Sequence, residues 1–376
     1  MAGTSESCFP DAKRPYAALY PAEARVLESG DYGGGNWAKG YKAPSVETLI
    51  KMVGERLAAM GGKCILWLFH SLGGGYGAGA GAKFLEGVTE EFSENIRPVS
   101  IPILPGSFVS NSMVESYNGV LAMPAVLEHA HLVFLLDNSS LFRRAKKGDA
   151  DPGYPQMDAL AASALNTLVA PMLWPDAAGR RLTPNELHSS IWNPTGAATL
   201  NVEGEPFEWG DCFFCEYVPV WKRIISLSLL DEHLPGESHA DFVRRAIADQ
   251  HSSISFESAE GWQSAFVVLK VDHADGSDPG QAVQQGSVKL AIHHRSERSL
   301  ALVAGWNDAM CSTLEESLEK FDMLWGRNRA FSHWYFAEGI DVQHFEDSRR
   351  KLADACNQLV AHKRFSADEQ LPSDEG

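Results

Sequence analysis

An apolar stretch that runs without a break into a cluster of glycines limits, more than any other feature, how this chain can fold. After two glycines, Lys63-Cys64-Ile65-Leu66-Trp67-Leu68-Phe69 is apolar throughout and reads as a strand covered on both faces. His70-Ser71-Leu72-Gly73-Gly74-Gly75-Tyr76-Gly77-Ala78-Gly79-Ala80-Gly81 follows at once, and then a helical pattern through Phe84, Leu85, Val88 and Phe92. Strand, glycine turn and helix in this order make a phosphate-binding arrangement. Glycine lets backbone N–H groups approach anionic oxygens, and the helix start adds roughly half a positive charge. Glycines also let a helix pack closely on a sheet, so the string alone does not decide between the two uses.

The alternation continues along the chain. Val46, Leu49, Ile50, Val53, Leu57 and Met60 recur at helical spacing, and residues 99–104 read as a strand. Helical periodicity returns over 113–128, and residues 132–136 form another buried strand, which predicts an α/β fold with a parallel sheet. Residues 146–156 read as loop and 157–173 as helix, while 174–260 hold short segments among many prolines. Residues 261–272 and 287–293 look like strands of a second, α+β domain, and long helical patterns over 310–326 and 345–365 close the chain. The expected division is 1–175, 176–308, a C-terminal helical hairpin at 309–366, and a short, acidic, disordered tail at 367–376.

A chain of 376 residues has ample material for more than one domain. Its formal charge of −17 repels nucleic acid and anionic membranes and favours basic partners, although acidity also serves solubility alone. The N-terminal stretch shows no apolar segment of the secretory kind, and no run is long enough to span a membrane. Cytoplasm is the expected compartment, with import into an organelle left open. The 6 cysteines are too few and scattered for a disulfide framework. Cys212 and Cys215 have the spacing of half a zinc site, but no second Cys/His pair accompanies them, so no metal is expected.

The glycine string HSLGGGYGAGAG resembles the tubulin signature loop GGGTGSG, with Tyr76 in place of threonine and Ala78 in place of serine. Other segments resemble the family in the same order. Gly33-Gly34-Gly35-Asn36-Trp37-Ala38-Lys39-Gly40-Tyr41 is similar to AGNNWAKGHY of β-tubulin. Pro105 with Val109–Asn111 and Val114–Asn118 is similar to PSPKVSDTVVEPYN, Leu136–Leu141 to IDNEAL, and Leu165–Val169 to LNHLVS. The segment from Ala330 to Asp341, with Phe345 after it, is similar to KAFLHWYTGEGMDEMEF. On these matches the chain is identified as a divergent, N-terminally shortened member of the tubulin family, nearest the β form. The resemblance implies a Rossmann-like GTPase-type domain with an incomplete parallel sheet at 1–175, an intermediate domain and C-terminal helices.

The departures matter as much as the matches. Before Leu19-Tyr20-Pro21, which resembles the DLEPG turn, no counterpart of the family's opening strand, GQCGNQ loop and first helix is found. That strand sits near the middle of the family's sheet, so the expectation is that another polypeptide supplies it, that the remaining strands close up, or that the sequence is incomplete. Ala18 and Tyr20 stand where the turn carries acids that serve magnesium, Asn111 replaces an aspartate, and Tyr76 puts a bulky ring beside the phosphate position. Residues 182–189 resemble the loop that completes a neighbour's GTPase site, with Ser189 where a water-activating glutamate stands in α-tubulin. The resemblance therefore implies a vestigial nucleotide site without catalytic or metal-binding residues. It comprises Asn36, the glycine-turn residues Ser71, Gly73, Gly74, Gly75 and Gly77, and on the ribose and base side Glu115, Asn138 and Asn166, with Tyr154 as a base-stacking candidate. GTP or GDP is expected to be held weakly or not at all.

Three functions remain open on the sequence. One is a non-catalytic structural subunit of a larger, cytoskeletal assembly, with protein partners that include tubulins and a strand donated by another chain. A second is a GTP-binding, polymer-forming tubulin whose front segment is missing from the sequence. The third is a scaffold in an unrelated complex.

Overall fold

The computed structural model describes residues 33–60, 64–106, 112–146, 150–173, 223–248, 253–255, 264–270, 288–293, 299–306 and 309–368. A 3-10 turn at Gly33–Gly35 leads into α1 (Trp37–Tyr41), α2 (Ser45–Met60), β1 (Cys64–Ser71), α3 (Gly75–Phe92), β2 (Ile96–Leu104), α4 (Glu115–His129), β3 (Leu132–Asp137), α5 (Asn138–Ala145) and α6 (Tyr154–Leu173). After these come β4 (Ile224–Leu230), α7 (His239–Ala248), β5 (Ser264–Lys270), β6 (Val288–His293) and β7 (Leu300–Trp306). Helices α8 (Ala309–Gly326), α9 (His333–Phe336) and α10 (Val342–Asp368) end the described chain. Of the described residues, one compact unit holds 33–135, 223–225 and 309–368, and the other holds 136–173 and 226–306.

The first unit is built on the order β1-β2-β3, with β1 and β2 parallel in the register Cys64↔Ile96 to Ser71↔Ile103. Every residue of β3 is buried and most of β2 is, as befits strands covered on both faces. Against one face of β1, α2 and α3 close a cluster of Val46, Ile50, Ala80, Phe84 and Val88, onto which Leu66 and Leu68 pack. Helix α4 carries the C-terminal layer. Tyr117 makes edge-to-face contacts with Phe321, Tyr335 and Phe345 at centroid distances of 5.3, 5.8 and 5.1 Å. Such pairs add to the area that aromatic rings bury. Arg349 of α10 grips Asp322 of α8 through two bonds of 3.0 and 2.7 Å.

In the second unit β4, β7, β5 and β6 adjoin in that order, β7 antiparallel to both β4 and β5, and β5 parallel to β6. Helix α7 buries Phe242, Val243 and Ala246 against Ala265, Val267, Leu269, Ala301 and Val303. At its start Ser238 Oγ accepts from Asp241 N at 3.1 Å, and just before it the Glu237 carboxylate takes two bonds from Arg245 at 2.8 and 2.7 Å and is thereby held below the usual carboxylate range.

The α/β class and the order of elements expected from the sequence hold. Elements without an expectation were α1 beyond its start, α5, β4, α7, β7 and the one-turn α9. In β4, Ser226 and Ser228 interrupt the apolar run, yet they are 0% and 1% exposed. The backbone beside them is served by Ser255, whose hydroxyl accepts from Leu227 N at 2.7 Å. The readings of Ala18, Tyr20, Asn111, residues 182–189, Cys212, Cys215 and the acidic tail fall outside the described residues.

Two glycines separate packing from propensity. A Cβ on Gly79 would overlap the backbone of Trp37 and Tyr41 in α1, whereas one on Gly119 inside α4 meets nothing within 4 Å. Gly79→Ala should therefore destabilise by about 3 kcal/mol, since backbone must move. Gly119→Ala should stabilise by about 0.5–1 kcal/mol, because glycine is the poorer helix former. Urea unfolding of the two variants measures both.

Candidate functional site

The glycine turn lies at the carboxyl end of β1, and it is closed by local bonds. Leu72 N continues the ladder to Ile103 O at 2.9 Å, and Ser71 Oγ accepts from Gly73 N at 3.2 Å. Helix α3 then starts at Gly75 with Gly74 as N-cap, and no side chain caps it. Gly74 is exposed and a Cβ there would meet nothing within 4 Å, so there is open space beside the residue that precedes α3.

The other glycines of the run sit under chain. A Cβ on Gly75 would overlap the backbone of Asn36, and one on Gly77 would come to 2.7 Å of Ser71 O. Gly79 faces α1, as does Gly75, while Gly81 faces the ring of His70. Alternate glycines thus let α1 ride on one side of α3 and β1 on the other. Ala78, Ala80 and Ala82 between them are buried.

Asn36 is buried and its amide is engaged at both ends. Its Oδ1 accepts from Ala38 N at 2.9 Å, which caps α1, and its Nδ2 donates to Trp334 O at 3.0 Å. Glu115 opens α4, and its carboxyl carbon would stand 3.3 Å from a Cβ on Gly73. Tyr76 departs from the sequence expectation. Its ring does not overhang the turn but packs against the α2–α3 cluster, and its hydroxyl bonds Ser45 Oγ at 2.5 Å. The reason is helical geometry: the second residue of α3 faces the neighbouring helix, where an apolar ring has partners.

Asn36, Ser71, Gly73, Gly74, Gly75, Gly77 and Glu115 are therefore brought together around one turn of the first unit. Asn138 and Asn166 belong to the second unit, half-buried on α5 and α6, which pack on one another. Asp137, just before Asn138, caps α5 by accepting from Ser140 N at 2.8 Å. Tyr154 is the first residue of α6 and is 56% exposed.

Two residues beside the turn were not among those expected there. Asn118 is 0% exposed and fills its hydrogen-bonding capacity. Its Oδ1 accepts from Trp37 N at 2.9 Å and from Tyr335 Oη at 2.7 Å, and its Nδ2 donates to Gly35 O and Gly73 O, both at 2.7 Å. His70 lies between β1, β2 and α3, with Nδ1 at 3.0 Å from Gly77 O and Nε2 at 2.9 Å from Ser100 Oγ. Because a carbonyl can only accept, Nδ1 carries the proton and Nε2 accepts from the serine. Both lie inside segments that resemble the family, His70 at the head of the glycine string and Asn118 at the end of Val114–Asn118, but nothing in those strings shows what their side chains bond.

The family model of the Tubulin/FtsZ family, GTPase domain, matches residues 18–146. The chain is 24% identical over 367 residues to Tubulin alpha-1B chain of Schizophyllum commune, covering 90% of this chain and 77% of that one. It is 25% identical over 377 residues to Tubulin alpha-A chain of Neurospora crassa, with the same shares. With Tubulin beta chain of Pyropia yezoensis it shares 24% over 388 residues, or 96% and 78% of the two chains. Alpha and beta chains thus match at the same level.

Burial holds His70 down to about 4 from an ordinary 6.5, and burial with the charges of Arg97 and Arg223 holds His131 down to about 3. Both are neutral when folded and bind protons when unfolded. Their contribution is complete above pH 6.5 and is lost as pH falls toward 4. For His70 the loss should approach about 3 kcal/mol at pH 4, because each tenfold difference in proton affinity between the unfolded and folded chain is worth about 1.4 kcal/mol. Urea unfolding between pH 7 and 4.5 should show the decline, and it should be shallower in His70→Gln.

Proposed function

We propose, from the premise that the chain is a divergent member of the tubulin family, that it acts as a non-catalytic structural subunit of a multi-chain assembly containing other tubulins, in the cytoskeleton. The observation that carries this reading is the state of the polar groups around the glycine turn. Asn36 is engaged at both ends, Ser71 bonds its own turn, and Asn118 is saturated by backbone and by Tyr335. A phosphate would have to displace these bonds, and an unmade buried bond costs about 1–3 kcal/mol.

Charge points the same way. The Glu115 carboxylate lies over Gly73, where it opposes an anion drawn by the start of α3 and offsets the helix dipole there. A carboxylate in that position suits a neutral hydroxyl better than a phosphate. The side chains present therefore do not fit a gripped triphosphate, and no hydrolytic step is derived through one. GTP or GDP is therefore weakly bound at most.

One observation favours the alternative of a GTP-binding, polymer-forming protein: the uncapped, open start of α3 at Gly74. The two readings separate in solution. Purified chain with GTP and Mg²⁺ should release no phosphate above the spontaneous rate, and filter binding should show nucleotide dissociating in the millimolar range or not binding. Turnover that disappears in Asn138→Ala would reverse the assignment.

A further inference from the structure

Backbone strain is concentrated in one place among the described residues. The non-glycine residues with left-handed backbone there are Asn328, Arg329 and Phe331, at φ of 58, 55 and 64°, all in the loop after α8. Asparagine visits this conformation readily, but arginine and phenylalanine do not, because their Cβ crowds the following carbonyl oxygen. Such backbone persists only where its surroundings over-determine it. Ser332 Oγ donates to Arg329 O at 2.8 Å, and Arg329 N and Ala330 N donate to Trp325 O and Leu324 O at 2.9 and 3.1 Å. From outside the loop, Tyr117 Oη donates to Ala330 O at 2.9 Å.

The residues that follow fasten the glycine turn. Trp334 O, in the one-turn α9, accepts from Asn36 Nδ2 at 3.0 Å, and Tyr335 Oη donates to Asn118 Oδ1 at 2.7 Å. Glu338 O accepts from Lys42 Nζ. The backbone N–H groups from Ser332 to Ile340 bond to residues at most five positions back, so no ladder runs through this stretch. Its ends are fixed independently. Helices α8 and α10 are joined by the Arg349–Asp322 pair and by Trp325 on Phe345, whose rings stack at 4.8 Å. The stretch between them can therefore lift without parting the two helices. Against lifting stands Tyr335, which is 0% exposed, whereas Trp334 is already 50% exposed.

We propose that residues 328–338 form a strained strap, which opens as one unit without unfolding of the rest and slackens the glycine turn as it does so. Strain favours the opening, since release returns Arg329 and Phe331 to ordinary backbone. Opening takes Trp334 O from Asn36 and Tyr335 Oη from Asn118. The Asn118 amide is the one that also holds Gly73 O and Trp37 N, so the loss of one partner reaches both the turn and α1. A buried amide short of a partner turns toward water or another group, and the bonds on its other side weaken with it. The closed turn is thus conditional on the C-terminal layer. This device goes beyond the structural-subunit reading and does not rest on it.

Hydrogen exchange of the full chain along a urea series tests this. In the unmodified chain the amides of Phe336, Ala337 and Ile340 should exchange about tenfold or more faster than that of Val133 in β3, and with a shallower dependence on urea, because local opening exposes less surface than unfolding. Tyr335→Phe and Tyr117→Phe each keep the ring and remove the hydroxyl that holds the strap. Both should speed the strap amides and the amide of Trp37 by about fivefold to tenfold while leaving Val133 unchanged. Asn328→Gly should slow the strap amides by roughly threefold, since it relieves strain at an exposed position. Equal acceleration at Val133 would mean global destabilisation, and strap amides that speed up without Trp37 would mean that the turn is independent; either result overturns the proposal. So would a strap with the same urea dependence as Val133 in the unmodified chain, or one that exchanges no more slowly in Asn328→Gly.

Discussion

The first unit depends on one buried amide. Asn118 joins the entry loop through Gly35 and Trp37, the glycine turn through Gly73, and the C-terminal layer through Tyr335. Those points are far apart in sequence, and the bonds satisfy backbone groups that close packing of the three segments takes from water. The residue before it works in the opposite direction. Tyr117 turns its ring into Phe321, Trp325 and Phe345, and its hydroxyl donates to Ala330 O at 2.9 Å. That bond holds a loop in which Asn328, Arg329 and Phe331 all have positive φ, a conformation costing about 1 kcal/mol or more for such residues. Two adjacent side chains of α4 therefore set both the turn and the layer behind it.

With that anchor in place, the glycines acquire a second meaning. Gly75 and Gly79 are required by the close approach of α1, Gly77 and Gly81 by β1 and His70. Within the glycine string, Gly74 alone has open space where a Cβ would stand. A glycine-rich loop of this kind is held in place by packing whether or not a ligand is bound, because substitution would separate helix from helix. The motif by itself is evidence of ancestry and of close backbone approach. Chemistry has to be argued from the side chains around it.

How far the sequence could be read follows from the same distinction. Long periodic helices such as α2, α3, α8 and α10 and the unbroken apolar strands β1 and β3 were legible, because burial on one stripe or both faces leaves a pattern in the chain. Strand β4 was not, since its buried serines look polar until their neighbours are known. The members of the candidate site on the first unit were legible through motif resemblance, but their present engagement was not. Nothing in the string around Asn36 announces that its amide is taken by Ala38 and Trp334, the latter 298 positions away. Tyr76 shows the converse: the residue was noticed, yet its direction depends on α2, which lies earlier in the chain.

Internal closure also bears on what a ligand could do here. A nucleotide shifts a protein between states only by the difference in its affinity for them. Where Asn118, Asn36 and Ser71 already tie the turn to its surroundings, the arrangement that a ligand would select is the one the chain adopts without it, so little remains to be switched. The first unit thus satisfies internally the polar groups of the turn that lies within the stretch matched by the GTPase-domain family model.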